Sequence, residues 1–142
     1  MAQMSWFDGS KFFSVSSSVE AGDSLIFTRI GANDKDYHLR RDPAYMLRRS
    51  NVASTTFANI IEIHGSYSPV TELAKNSYSS VKDVVVHSSD SEYSIIEIEL
   101  IKGEKLVFAL ANNNTEKNKK HSIKFGDQDL SWTGPYNLFR NQ

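Results

Sequence analysis

Four groups of side chains in this sequence are of types that do chemistry. The first is Glu62 with His64. Both lie in the apolar, β-branched run TFANIIEIH at 56–64, and their spacing puts them on one face of a strand. A carboxylate beside an imidazole is an acid/base pair or half of a metal site. A histidine at a strand end can equally hydrogen-bond the loop that follows it. His38, His87 and His121 are distant in sequence and no spacing matches a zinc motif, so neither a metal nor another cofactor is expected.

The second group is arginine. Arg29, Arg40, Arg41, Arg48 and Arg49 fall between positions 29 and 49. Neighbours on a strand point to opposite faces, so at most one of each adjacent pair can serve a given partner. The guanidinium fork suits carboxylates and phosphates. Arg41 and Arg48 are therefore candidates for an anionic ligand such as a uronic acid chain, or for salt bridges to Asp34, Asp36, Asp42 or neighbouring strands. The third group is Tyr67 and Glu72, in the long connection GSYSPVTELAKNSYSS at 65–80. A connection this long in a compact domain is more often functional than idle. Glu72 could accept sugar hydroxyls or sit at the N-terminus of a short helix, since Val70 to Asn76 has room for two helical turns at most. The fourth group is aromatic. Trp6, Phe7, Trp132, Tyr136 and Phe139 lie near the chain ends, where such residues tie a terminus to a sheet more often than they stack on sugar. There is no GxSxG, no Walker loop and no GxGxxG, so no catalytic residue is assigned.

The elements that must position these groups are strands. Short runs at 24–30, 44–49, 56–64, 82–87, 93–101 and 105–111 are broken by Gly, Asn, Asp or Ser, the pattern of antiparallel strands. Lys102-Gly103-Glu104 closes a hairpin between the two clearest of them. In 93–101, Ile96, Ile98 and Leu100 oppose Glu97 and Glu99, which predicts a sheet with one wet face. Lys117 to Lys120 reads as a polar loop. The expectation is an all-β chain, an antiparallel sandwich of roughly eight to ten strands in a single domain over 1–142.

Composition removes whole classes of function. The chain has 142 residues, 16 Lys plus Arg against 17 Asp plus Glu, and a net charge of -1. No nucleic-acid partner is expected from that balance. With no cysteine, thiolate catalysis, disulfides and Cys-ligated zinc are excluded. No apolar run reaches membrane-spanning length and the first residues lack a signal-peptide pattern, so no membrane partner is expected and localisation stays unread.

The middle of the chain resembles a known family. Arg40-Arg41-Asp42-Pro43-Ala44-Tyr45-Met46-Leu47-Arg48-Arg49, followed by Phe57 to Glu72 (FANIIEIHGSYSPVTE), is similar to the C-terminal β-region of heparinase II/III-like polysaccharide lyases, above all the oligoalginate lyases. The resemblance is strongest over 37–81 and extends to about residue 112. It implies a parent enzyme, periplasmic or secreted, that joins an (α/α) toroid to antiparallel sheets and cleaves uronate polysaccharides by β-elimination. A base takes the C5 proton, and an acid protonates the leaving oxygen. A β-rich chain of this length has no room for the toroid, so the resemblance implies a C-terminal domain without the main catalytic groups. It would support the toroid and lend the His64–Glu72 loop to the substrate cleft, with Glu72, Tyr67 and His64 near sugar. Ile63 departs from the family pattern, which has proline there, and this bears on how the chain enters the loop. Two rivals are a stand-alone carbohydrate-binding module for anionic polysaccharides and a small β-protein that pairs edge strands with another protein.

Overall fold

The computed structural model describes residues 1–31 and 41–141, with the side chains of Arg41, Asp42 and Asn141 outside that description. Every strand pairing is antiparallel and no helix forms among the described residues. The all-β expectation holds. Thirteen strands form among the described residues, more than the eight to ten expected. The excess comes from short polar strands and from both ends of the chain. The chain divides into two compact units, Met1–Val19 with Thr56–Gln142, and Glu20–Thr55.

The larger unit is built on a four-stranded sheet ordered β13-β10-β9-β8 (Tyr136–Asn141, Lys105–Ala111, Tyr93–Leu100, Val81–Ser89). The β9–β10 hairpin forms where alternation and the Lys102-Gly103-Glu104 turn predict it, with Gly103 at φ 87°. The single wet face does not survive. Ile95, Val107, Ala109 and Ala111 share the face of Glu97, and they are buried under Leu130 and Trp132 of the β11–β12 hairpin (Lys120–Phe125, Gln128–Thr133). The stretch read as a polar loop at Lys117–Lys120 thus leads into a covering strand. Only one end of this face stays wet. There Lys82 pairs with Glu99 at 2.5 Å and Lys105 with Glu97 at 2.9 Å. The opposite face buries Val84 and Ile98 with Val81 and Ala58, and Ile60 packs against them. A sheet covered on both sides explains why β9 and β10 are so apolar.

Ile60 belongs to a second sheet ordered β1-β2-β5 (Ala2–Asp8, Lys11–Ser17, Asn59–His64). β1 and β2 meet at a two-residue turn in which Gly9 takes φ 61°. The segment 65–80 is not helical. It opens as a small hairpin, β6 (Ser66–Ser68) on β7 (Leu73–Lys75). Glu72 at φ 54° and Asn76 at φ 50° lie in the left-handed region, which no α-helix can include.

The smaller unit is a hairpin of β3 (Ser24–Gly31) and β4 (Arg41–Arg48). Pro43 sits inside β4, tolerated because β4 is an edge strand. At the base of the hairpin, the Arg49 guanidinium grips Asp23 through Nε and Nη2, at 2.8 and 2.7 Å, and reaches Glu20 at 2.6 Å. The Arg49 hydrogen bonds, joined by the Glu20 amide, hold the Asp23 carboxyl at about 2, down from its ordinary 3.8. A depressed carboxyl stabilises the fold above its ordinary value and stops doing so as pH falls through the folded value. Amide signals of Glu20–Thr55 are therefore expected to lose dispersion between about pH 4 and pH 2. Asp23→Asn should remove that acid transition and weaken the hairpin at neutral pH; an unchanged transition in the variant would contradict the assignment.

Candidate functional site

β5 carries Ile60, Glu62 and His64 along one face, as the sequence spacing requires. His64 does not work with Glu62 as an acid/base pair here. Its Nδ1 lies 2.9 Å from the carbonyl oxygen of Asn76. A carbonyl only accepts, so Nδ1 carries the proton and donates. Nε2 of the neutral ring then accepts from the Ser14 hydroxyl at 2.8 Å, and Ser14 can accept in turn from Ser5 at 2.6 Å. The ring also stacks on Phe12, with centroids 6.2 Å apart. Both nitrogens are thus engaged, and the histidine holds the following loop, as the second sequence reading has it. Ser14 is fully buried, so this Ser–His contact is not an accessible nucleophile.

Glu62 ties down the far end of the same loop. It accepts from the Ser79 hydroxyl at 2.5 Å, the Ser80 hydroxyl at 2.5 Å and the Ser80 amide at 3.0 Å. Burial pushes its carboxyl up, but the hydrogen bonds from Ser79 and Ser80 outweigh that and leave it below its ordinary value. Glu62 is ionised at neutral pH and committed to three donor groups. Among the described residues no group of three His, Asp or Glu side chains is placed to hold a metal ion.

Between these two anchors stands the β6–β7 hairpin. Gly65 opens it at φ 56°, where a Cβ would come within 2.2 Å of the Asn76 carbonyl oxygen and 2.3 Å of that of Lys75. Tyr67 is fixed by its amide, which donates to the Ser10 carbonyl at 3.1 Å, and by its ring, edge-on to Phe7 at 5.9 Å. Glu72 is exposed at the end of the turn, in its left-handed conformation. The structure therefore brings His64, Tyr67 and Glu72 together on one stapled loop.

Arg41 and Arg48 belong to the other unit. Arg48 is exposed on β4 opposite Ser24 and has no ion pair among the described residues; the Arg41 side chain lies outside them, as do Arg40, His38, Asp34 and Asp36. Arg49 is engaged in salt bridges with Asp23 and Glu20, while Asp34, Asp36 and the Asp42 side chain lie outside the described residues. Trp132 is buried in the core and Phe139 packs beside it, whereas Trp6, Phe7 and Tyr136 stay exposed. Sequence reasoning missed Ser14, Asn76, Ser79 and Ser80. The serine alternation of FFSVSS is the one local hint of a polar inner row.

Over 133 residues, 91% of its length, the chain is 29% identical to an exo-oligoalginate lyase of Saccharophagus degradans. Over 134 residues, 94% of the chain, it is 26% identical to an alginate lyase of Stenotrophomonas maltophilia. The chain spans 18% of the length of each of these relatives. No family model matches the chain. The resemblance to oligoalginate lyases read from 37–81 thus extends along nearly all of the chain.

Proposed function

We propose that this chain acts as one β-domain, the C-terminal part of a longer lyase that cleaves alginate or a related uronate polysaccharide. In this reading it supports a catalytic (α/α) toroid and lends the Gly65–Asn76 loop to the substrate cleft. The observation that carries the reading is the match of nearly the whole chain to less than a fifth of each alginate lyase relative. Tyr67 offers a hydroxyl and a ring edge to the sugar, and Glu72 accepts its hydroxyls. His64 sets the loop from beneath and meets sugar only at the ring edge that its two hydrogen bonds leave open. Arg48 and Arg41 supply cations for uronate carboxylates. The proton transfers of β-elimination are left to the remainder of the enzyme, because Glu62 and His64 have their polar atoms committed.

The test is absorbance of unsaturated uronate when the purified chain is incubated with alginate. No release is expected from the chain alone. Sustained release would show a complete active site within these 142 residues and sink the proposal.

A further inference from the structure

The β1-β2-β5 sheet is amphipathic in the wrong direction for a protein surface in water. Strand register places Met4 and Trp6, Phe13 and Val15, and Ile61 and Ile63 on one face. The other face carries Gln3, Ser5, Ser14, Ser16, Glu62 and His64, with Phe7, Phe12 and Ile60 among them. Yet on β2 it is the serine row that is buried, with Ser14 and Ser16 at 0% and 1% exposure, while on the apolar face Ile61 and Ile63 are 71% and 67% exposed and Trp6 is 41% exposed. The inner polar row is not a packing fault, since Gln3 bonds Ser16, Ser5 bonds Ser14, and Ser14 bonds His64. Trp6 lies flat on Phe13, with rings 5.4 Å apart and 12° from parallel, which makes this part of the outer face smooth.

Single exposed apolar residues need no explanation, but a contiguous patch across three strands marks a contact surface. Apart from the Asp8–Lys11 pair at its turn end, this face presents no charge, so its apolar middle suits neither a polyanionic sugar, which needs cations, nor a reversible polar contact. It has the character of a permanent interface. More than four fifths of each alginate lyase relative lies outside the stretch this chain matches.

We infer that the outer face of β1-β2-β5 is the surface on which the remainder of a lyase polypeptide docks. This rests on the function proposed above and deepens it. β5 crosses the face and ends at His64-Gly65, where the β6–β7 loop begins. Docking through Ile61 and Ile63 therefore puts Tyr67 and Glu72 at the rim of the interface, beside whatever groove the two parts form.

The experiment co-expresses this chain with the Saccharophagus degradans lyase lacking its matching segment, and compares wild type with Ile61→Lys/Ile63→Lys. Ile101→Lys, at a turn residue 63% exposed elsewhere in the unit, is the control. Wild type and Ile101→Lys are expected to co-purify with the shortened lyase. The double variant should keep the wild-type amide spectrum and lose at least ten-fold in retained chain. If the double variant co-purifies as well as wild type, the face is not the interface although the lyase reading stands. If wild type fails to co-purify, the lyase reading falls and the docking partner with it. Self-association of wild type instead, abolished by the lysines, would make a second copy the occupant and overturn the proposal.

Discussion

Gly65→Ala is expected to unfold the β6–β7 loop and to cost the larger unit about 3 kcal/mol or more. Two effects add at this position. A residue with a Cβ is strained at φ 56°, by about 1–2 kcal/mol. The new methyl also has nowhere to go, since it would stand 2.2 Å from the Asn76 carbonyl oxygen, which is backbone and cannot swing aside. That carbonyl is the one that accepts from His64 Nδ1. Relieving the clash therefore breaks the histidine clamp as well, and Ser14 loses the acceptor for its hydroxyl. Denaturant unfolding of the variant would measure the cost, and amide shifts of Ser66–Asn76 would show whether the loop has opened. A shift in stability below about 1 kcal/mol would mean that the two strands can separate freely, and that the loop is not held as described.

The second large effect is expected at Glu62→Ala. The substitution strands three donors at once, the Ser79 and Ser80 hydroxyls and the Ser80 amide. Buried Ser79 cannot turn to water. Hydrogen bonds to a charged acceptor are worth more than neutral ones, but Glu62 is itself only half-buried, so the expected loss is about 2 kcal/mol. Acid should mimic the variant. Because the folded carboxyl sits below its ordinary 4.5, its contribution is complete above that value and fades as pH falls through the lower folded one. Glu62→Gln, which keeps the shape and one acceptor, should recover part of the loss. Equal stability of Glu62→Ala and wild type would show that the serines find other partners and that the loop has only one anchor.

Legibility in the sequence follows the range of the interactions. The β9–β10 hairpin was readable because alternation and a glycine turn are both local, and Lys105–Ala111 matches the expected 105–111. β1 and β2 were not, because their serines and glutamine gave no apolar core signal and the buried row of β2 turned out to be polar. β11–β12 hid behind a basic stretch, and only the burial of His121, Leu130 and Trp132 reveals its inner row. The loop was located correctly, yet its hairpin depends on left-handed φ at Glu72 and Asn76, and glutamate gives no warning of that. The partners of the candidate residues were out of reach for the same reason. Ser14 is 50 positions from His64 and Asp23 is 26 from Arg49, so only the folded chain brings them together.

Titration of the purified chain with alginate oligosaccharides shows whether the stapled loop faces sugar. Backbone amide shifts confined to 64–76 at millimolar ligand, with Tyr67 and Glu72 among the largest, are the predicted result. Shifts that bypass the loop, or none at all at that concentration, would contradict the account and leave the chain a docking domain with no share in the substrate cleft.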